Sequence, residues 1–194
     1  LSGLSMLDAA QYDALQPIQW PVTPTHPDGC ARLFSDGRYY TPSGRARLIP
    51  ITPHLSVARL DAPHPFLLNT GRIRDQWHTM TRSGRSVRLL SHIAEPFVEI
   101  HPEDAKTLGV GERALLQVHN HHGSVTLRAQ ISDAVQRGQL FAPIHWNDQF
   151  ASAARIDSLV AAVTDPISGQ PEFKQSAVAV EPFAATWHGF VLSR

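Results

Sequence analysis

Short runs of hydrophobic residues, separated by turn residues, fill the later part of the chain and predict β-strands. The runs lie at 66–68, 97–100, the end of 110–118, 124–131, 139–144 and 177–180. A helix is predicted at 101–109, because Pro102 suits a first helical turn and Gly109 suits a left-handed helix end. Strands with so few residues between them predict a mixed, mainly β closed barrel with short helices at its rims.

The first sixty residues follow a different pattern. Helical spacing of apolar residues at 1–15, with Ser5 as a plausible cap, predicts a short helix, and the prolines that follow exclude regular helix. A hairpin is predicted at 33–40 and a strand at 46–51. Residues 1–62 are therefore expected to be an extended leader segment that packs on the barrel. Further along, residues 151–160 have helical propensity, and 87–93 is ambiguous.

Composition narrows the class of protein. The 194 residues, 42% of them hydrophobic, suffice for one globular domain with extended ends. The 17 basic and 17 acidic residues cancel, which gives no sign of a nucleic-acid or membrane partner. The single cysteine, Cys30, cannot hold an iron–sulfur cluster. No apolar run is long enough to span a membrane, so we expect a soluble, cytoplasmic protein. A start at Leu1 suggests a piece excised from a longer chain.

Hydrogen-bond donors crowd the segment that follows the first predicted strand. Thr70 and Gly71 break the apolar run, and polar side chains then occupy most positions: Arg72, Arg74, Gln76, His78, Thr79, Thr81 and Arg82, with Trp77 as the only large apolar ring. Arginine forks bind phosphate oxygens, and hydroxyl and amide groups bind the edges of heterocycles. The pattern suits a ligand that carries phosphates and a planar ring, although an ordinary polar loop is about equally compatible with it.

A second polar segment follows a later strand. Residues 145–150 begin with His145 and Trp146, and 164–174 form a loop rich in turn residues. An ordinary surface loop is the alternative that the residues leave open here. A turn that carries His119, His121 and His122 has the ligand type for a divalent metal, but an exposed histidine-rich hairpin is the commoner explanation. No spacing typical of structural zinc, a hydrolase triad or a phosphate loop is present.

Longer matches resemble a known family. The segment 70–79, which reads TGRIRDQWHT, is similar to the signature at which the C-terminal domain of molybdenum and tungsten bis-molybdopterin guanine dinucleotide oxidoreductases begins to bind its cofactor. Nitrate reductases and formate dehydrogenases belong to that family. Other similar segments follow in order: 96–105, 123–125, 142–146, 154–159 and 165–174. Residues 18–21 and 44–47 resemble the connecting segment of the assimilatory nitrate reductase branch.

The resemblance implies a fold and a set of site residues. The fold is the double-psi β-barrel (aspartate decarboxylase-like) at 63–183, with a C-terminal extension at 184–194. The implied cofactor-binding residues are Thr70, Gly71, Arg72, Gln76, Trp77, His78, Thr79, Thr81, His145, Trp146, Asp157, Phe173 and Lys174. It implies no catalytic residue and no protein ligand to the metal in this chain. Asp157 departs from the family pattern, which usually has Asn at this position. An ionised Asp side chain can only accept hydrogen bonds, whereas an Asn side chain can also donate them. We expect Arg72, His78 and Lys174 to line one groove, and a helical segment to turn Arg155 away from Asp157.

The resemblance also implies partners. The cofactor is molybdopterin guanine dinucleotide with molybdenum, and an iron–sulfur cluster belongs to the upstream part of the parent enzyme. The partners are the other domains of the same catalytic subunit and an electron donor. We expect the isolated chain to be a folded monomer without activity. The function that the resemblance implies is that of the cofactor-binding domain of a molybdenum-dependent nitrate reductase, which reduces nitrate to nitrite. Two alternatives stay open: the same domain of a formate dehydrogenase, or a non-catalytic double-psi barrel that serves as a protein-binding adaptor.

Overall fold

Six β-strands form a closed barrel in the computed structural model, which describes residues 2–188. The strands are β1 Phe66–Gly71, β2 Phe97–Ile100, β3 Leu115–His119, β4 Ser124–Ile131, β5 Gln139–Pro143 and β6 Ser176–Pro182. Their order around the barrel is β1-β5-β2-β4-β3-β6. The predicted mainly β double-psi barrel with short rim helices is therefore confirmed. Each strand contains or overlaps one of the predicted runs.

The barrel interior is filled by the inward-facing members of the alternating runs. Leu68, Val98, Leu116 and Leu140 are almost completely buried. In β3 and β6 buried residues alternate with partly exposed ones, as the two-residue repeat of a strand requires. This alternation is the physical reason that the hydrophobic pattern predicts the strands.

Strand directions decide which connections share a rim. β1 and β5 are parallel neighbours, with Thr70 opposite Ala142, so the chain leaves both strands at the same end of the barrel. β6 runs antiparallel to β1, with Ser176 opposite Leu68, so β6 begins beside the end of β1. The β1–β2 connection and both ends of the β5–β6 connection therefore meet at one rim.

The helices are short. They are α1 Ala9–Asp13, α2 Val87–Leu90 and α3 Pro102–Thr107, with 3-10 turns at Ser2–Leu4, Ser83–Arg85 and Ile156–Leu159. The prediction for α3 is confirmed: Pro102 occupies the first turn, and Gly109 adopts a left-handed φ of 67°. The helical propensity of 151–160 yields only the 3-10 turn. No helix within residues 2–188 has the length and apolarity to cross a bilayer.

The chain divides into two compact units, Leu1–Pro53 and His54–Arg194. In the first unit, the predicted helix at 1–15 shrinks to α1, and its cap is Asp8 rather than Ser5. The predicted hairpin at 33–40 and strand at 46–51 are wrong, because the described part of this unit contains no strand. These apolar residues have no sheet to join, and Leu48 remains 93% exposed. The predicted C-terminal extension lies partly beyond the described residues.

Candidate cofactor-binding site

The end of β1 is tied to the segment that precedes β6. Continuing the antiparallel register places Thr70 opposite Lys174. The Thr70 hydroxyl donates to the carbonyl oxygen of Phe173 at 2.7 Å. The Lys174 ammonium in turn donates to the Thr70 carbonyl oxygen. Three residues predicted from two distant segments are thus in direct contact at one rim.

Gly71 ends β1 where an aromatic ring approaches the backbone. A Cβ atom at this position would lie 2.5 Å from a ring carbon of Phe141. The carbonyl oxygen of Gly71 then accepts a hydrogen bond from the backbone N–H of Ile144 at 2.9 Å, which keeps the ends of β1 and β5 together. The glycine is therefore required by close packing at the rim.

His145 holds the β1–β2 connection onto the end of β5. Its ring is fully buried, and Nε2 accepts the backbone N–H of Ile73 at 2.9 Å. Nδ1 therefore carries the hydrogen and donates to the carbonyl oxygen of His78 at 2.5 Å. Burial lowers the pKa of the His145 imidazole, although the hydrogen bond to the carbonyl acts in the opposite direction. The sequence predicts a cofactor contact here, whereas both ring nitrogens are engaged within the chain.

A second buried polar contact fixes the same connection. Gln76 is only 5% exposed, and its side-chain oxygen accepts from the Ser83 hydroxyl at 2.6 Å. The Ser83 oxygen also accepts the backbone N–H of Trp77 at 3.2 Å. Sequence reasoning missed Ser83, since nothing in its spacing distinguishes it from other polar loop residues.

The backbone conformation of the β1–β2 connection exposes the side chains in its middle to solvent. His78 and Met80 both have left-handed φ values, 44° and 61°, which non-glycine residues adopt at a cost. Met80 is fully buried and anchors the turn in the core. The side chains of the neighbouring Thr79 and Thr81 are exposed. The connection thus presents hydroxyl donors at the surface from a rigid base.

Arg72 forms the exposed cationic face of the site. Its guanidinium lies 5.4 Å from the centre of the Trp77 ring, which is 55% exposed. Within residues 2–188, Arg72 makes no ion pair with a carboxylate. Arg74 differs, because it bonds to Asp75 at 3.0 Å, and Asp75 also bonds to His92. These hydrogen bonds, first that from Arg74, lower the pKa of Asp75.

A cavity of about 810 Å³ adjoins this rim. Trp146, almost fully buried, lines it together with Thr81, Arg85 and Phe150. The volume is within the range of cavities that hold small molecules and cofactors. Two of the predicted site residues, one from each long connection, therefore share one cavity.

Asp157 lies beside the β3–β4 turn rather than in the segments described so far. It belongs to the 3-10 turn Ile156–Leu159, whose last residue accepts a hydrogen bond from Asn120 in the β3–β4 turn at 2.8 Å. The expectation that Arg155 points away from Asp157 is wrong: the two side chains form an ion pair at 3.3 Å. The physical reason is that Arg155 caps the turn in an extended conformation, so the two residues are not related by helical geometry.

Most of the sequence-predicted residues therefore fall into four groups. Thr70, Phe173 and Lys174 touch at the end of β1, and the loop residues Arg72, Trp77 and His78 form an adjacent exposed surface. Gln76 and His145 lie beneath that surface and hold it. Asp157 lies beside the β3–β4 turn. The single groove expected for Arg72, His78 and Lys174 stays a prediction.

Comparison with known proteins identifies the family of this chain. The family model described as Molydopterin dinucleotide binding domain matches residues 66–177. A nitrate reductase of Klebsiella oxytoca is 43% identical over all of this chain and 22% of its own length. The assimilatory nitrate reductase catalytic subunit of Bacillus subtilis is 32% identical, over 85% of this chain and 23% of its own. The alpha subunit of an F420-dependent formate dehydrogenase of Methanocaldococcus jannaschii is 34% identical, over 84% of this chain and 24% of its own length.

A solved structure supports the fold. Acetylene hydratase from Pelobacter acetylenicus superposes with a TM-score of 0.55 at 17% identity, over 62% of this chain and 18% of that one. The chain spans less than a quarter of the length of each of the three curated relatives named above. The family match begins at the first residue of β1 and ends within β6, and so takes in strands β1 to β5, the start of β6 and the rim described above. The chain belongs to the molybdopterin dinucleotide-binding domain family.

Proposed function

We propose that the rim formed by the end of β1, the β1–β2 connection and the segment before β6 binds the phosphates and guanine of molybdopterin guanine dinucleotide. The observation that carries this is the contact between Lys174 and the Thr70 carbonyl. It puts the cation of the β5–β6 connection beside the Thr-Gly-Arg end of β1. An adaptor function has no need for these two segments to converge.

The chemistry of the donors fits that ligand. An ammonium has three donors, so Lys174 retains two after its bond to Thr70. Arg72 keeps its fork free of carboxylates within the described residues, which leaves it available for a phosphate oxygen. The half-exposed Trp77 ring supplies a flat apolar surface for a heterocycle. Thr79 and Thr81 add hydroxyl donors.

Each group has a distinct role in this proposal. Lys174 and Arg72 bind anionic oxygens, whereas Gly71 allows close packing at the rim. His145 and Gln76 position the connection from below, because their polar atoms are bonded within the chain. When bound, the cofactor would supply the metal and the redox chemistry. In keeping with the family resemblance, we assign the chain no ligand to the molybdenum.

For the parent enzyme we propose two-electron reduction of nitrate to nitrite, with consumption of two protons and release of water. The relative from Klebsiella oxytoca supports nitrate, because its similarity covers the whole chain, whereas the formate dehydrogenase match covers 84%. The electrons would arrive through an iron–sulfur cluster in the rest of the subunit, and a cytoplasmic location is part of the same proposal. A reduced-viologen assay of the parent enzyme with nitrate tests this. Formate oxidation without nitrate reduction would contradict it.

Binding by the chain itself is tested with GDP as the probe, since GDP carries the guanine and a diphosphate. Titration followed by amide NMR shifts should move signals of residues 70–81 and 173–174. We expect Lys174→Ala to weaken GDP binding about tenfold, the effect of losing one charged hydrogen bond. The chain has one other lysine, Lys106 in α3, so Lys106→Ala is the matched control and should bind as the unchanged chain does.

The outcomes separate the alternatives. Shifts confined to the rim, with loss in the Lys174 variant only, support the dinucleotide site. Equal loss in both lysine variants would show nonspecific attraction of an anion. No shift at millimolar GDP would contradict the proposal for this surface. The isolated chain should show no nitrate reduction, because the cofactor would keep much of its surface in water without the opposing domains.

A further inference from the structure

A group of metal-ligand side chains lies beside the start of β1. Asp61, His64 and His121 each offer one ligand atom, and these atoms lie within 4.8 Å of one another. Their rings and carboxylate come from two distant segments: the one that precedes β1 and the β3–β4 turn. The proposed dinucleotide function uses none of the three.

The geometry points to a site for a divalent transition-metal ion such as zinc, which we propose is held by Asp61, His64 and His121. Zinc takes imidazole nitrogen and carboxylate oxygen at about 2.0–2.2 Å, and this places tetrahedral ligands about 3.3 Å apart. The ligand atoms therefore need to close by at most about 1.5 Å. Rotation of the exposed His121 and Asp61 side chains can supply that movement.

The segment before β1 is already fixed in a suitable form. His64 is only 7% exposed and stands between Pro63 and Pro65, which restrict the backbone. The Asp61 carboxylate accepts the backbone N–H of His64 at 2.7 Å and lies 2.8 Å from its Nδ1. Two of the three ligands are thus held side by side before any ion binds.

The turn that carries His121 is fixed as well. The Asn120 side chain donates to the carbonyl oxygens of Leu159 at 2.8 Å and Ala177 at 3.2 Å. The Asn120 side-chain oxygen accepts the backbone N–H of His122 at 2.9 Å. The His121 ring consequently lies edge-on to His64, with 4.4 Å between the ring centres. A site on two rigid supports loses little entropy when it binds an ion.

A cavity of about 230 Å³ gives the ion access. All three proposed ligands line it, together with Asn120 and Glu172. Glu172 is not among the ligands, because its carboxylate accepts the Ser56 hydroxyl and the backbone N–H groups of Val57 and Ala58. Three protein ligands leave the fourth position of a tetrahedral ion to water or another small donor from the cavity. Bound in this way, the ion would fasten the segment before β1 to the β3–β4 turn.

Calorimetric titration of the untagged, chelator-treated chain with Zn²⁺ tests the proposal. We expect one saturable site. His121→Ala removes an exposed ligand without disturbing the core, and should weaken zinc binding by at least the 10–100-fold that loss of an outer-shell partner costs. Asp61→Asn should weaken it similarly. His122→Ala is the matched control, because His122 is exposed in the same turn but lies outside the three-residue group, and it should change the affinity less than about twofold.

Thermal unfolding provides a second readout. Free zinc at about 100 times the Kd of the unchanged chain should raise its Tm by about 5–10 °C, and should raise that of the His121 variant by no more than about half as much. Tetrahedral Co²⁺ in place of zinc should give the strong visible absorption of that geometry. Several weak sites without saturation would overturn the proposal. So would equal losses in the His121 and His122 variants, which would show only a histidine-rich surface.

Discussion

Replacing His145 by Phe tests how the rim is held together. Phe is close in shape to the buried imidazole, but it cannot accept the N–H of Ile73 or donate to the carbonyl of His78. Leaving a buried backbone donor or acceptor unpaired costs about 1–3 kcal/mol each. Two groups lose their partners, but water can hydrogen-bond to them in part once the rim loop loosens. We therefore expect the free energy of unfolding to fall by about 2–4 kcal/mol, less than the largest sum of the two costs.

Urea unfolding followed by tryptophan fluorescence measures this loss, since Trp77 and Trp146 both lie near the affected loop. Amide exchange should accelerate at Ile73, whose donor has lost its acceptor. His78→Ala is the control: it removes a histidine from the same loop, but one whose side chain is exposed, and should cost about 0.5 kcal/mol or less. A loss below about 1 kcal/mol in the His145 variant, or unchanged exchange at Ile73, would refute the positioning role.

Two further predictions concern the same rim. Burial lowers the pKa of His145 in the folded chain, so the unfolded chain is protonated at this residue first as the pH falls. The contribution of neutral His145 to the free energy of unfolding is therefore complete above about pH 6.5, and it falls by up to about 1.4 kcal/mol per pH unit between that pH and the lower pKa of the folded chain. A stability-versus-pH series should show this slope in the unchanged chain and not in His145→Phe; equal slopes would contradict it. Gly71→Ala should lower the free energy of unfolding in urea by about 1–3 kcal/mol, because the added Cβ would lie 2.5 Å from the Phe141 ring. Gly111→Ala is the control, since the space around Gly111 is open, and it should lower the free energy of unfolding by about 0.5 kcal/mol or less.

The sequence predicts the barrel well because strand formation there depends on local alternation. Buried and more exposed residues alternate in β3 and β6, and polar and apolar residue types alternate in β4; the turns between them carry the residues that turns require. The same reasoning fails at 33–40 and 46–51. Apolar alternation predicts a strand only where a partner strand exists, and the partner is a property of the tertiary structure.

The residue types of the site are visible in the sequence, but their roles are not. The donors at 70–81 and the cation Lys174 follow from the pattern and from the family resemblance. That Lys174 contacts Thr70 depends on the β1–β6 register, which pairs segments about a hundred residues apart. His145 is predicted as a cofactor contact, yet the fold buries it and occupies both ring nitrogens.

By itself, then, the sequence determined that this protein is a mainly β barrel with a donor-rich segment after its first strand, because hydrophobic period and residue chemistry are local properties. Only the tertiary structure decided which donors face outward and which hold the loop, and it alone placed His64 beside His121. The physical reason is that burial, hydrogen-bond partners and ligand distances depend on strand register and barrel closure, and these bring together residues whose spacing along the chain carries no signal.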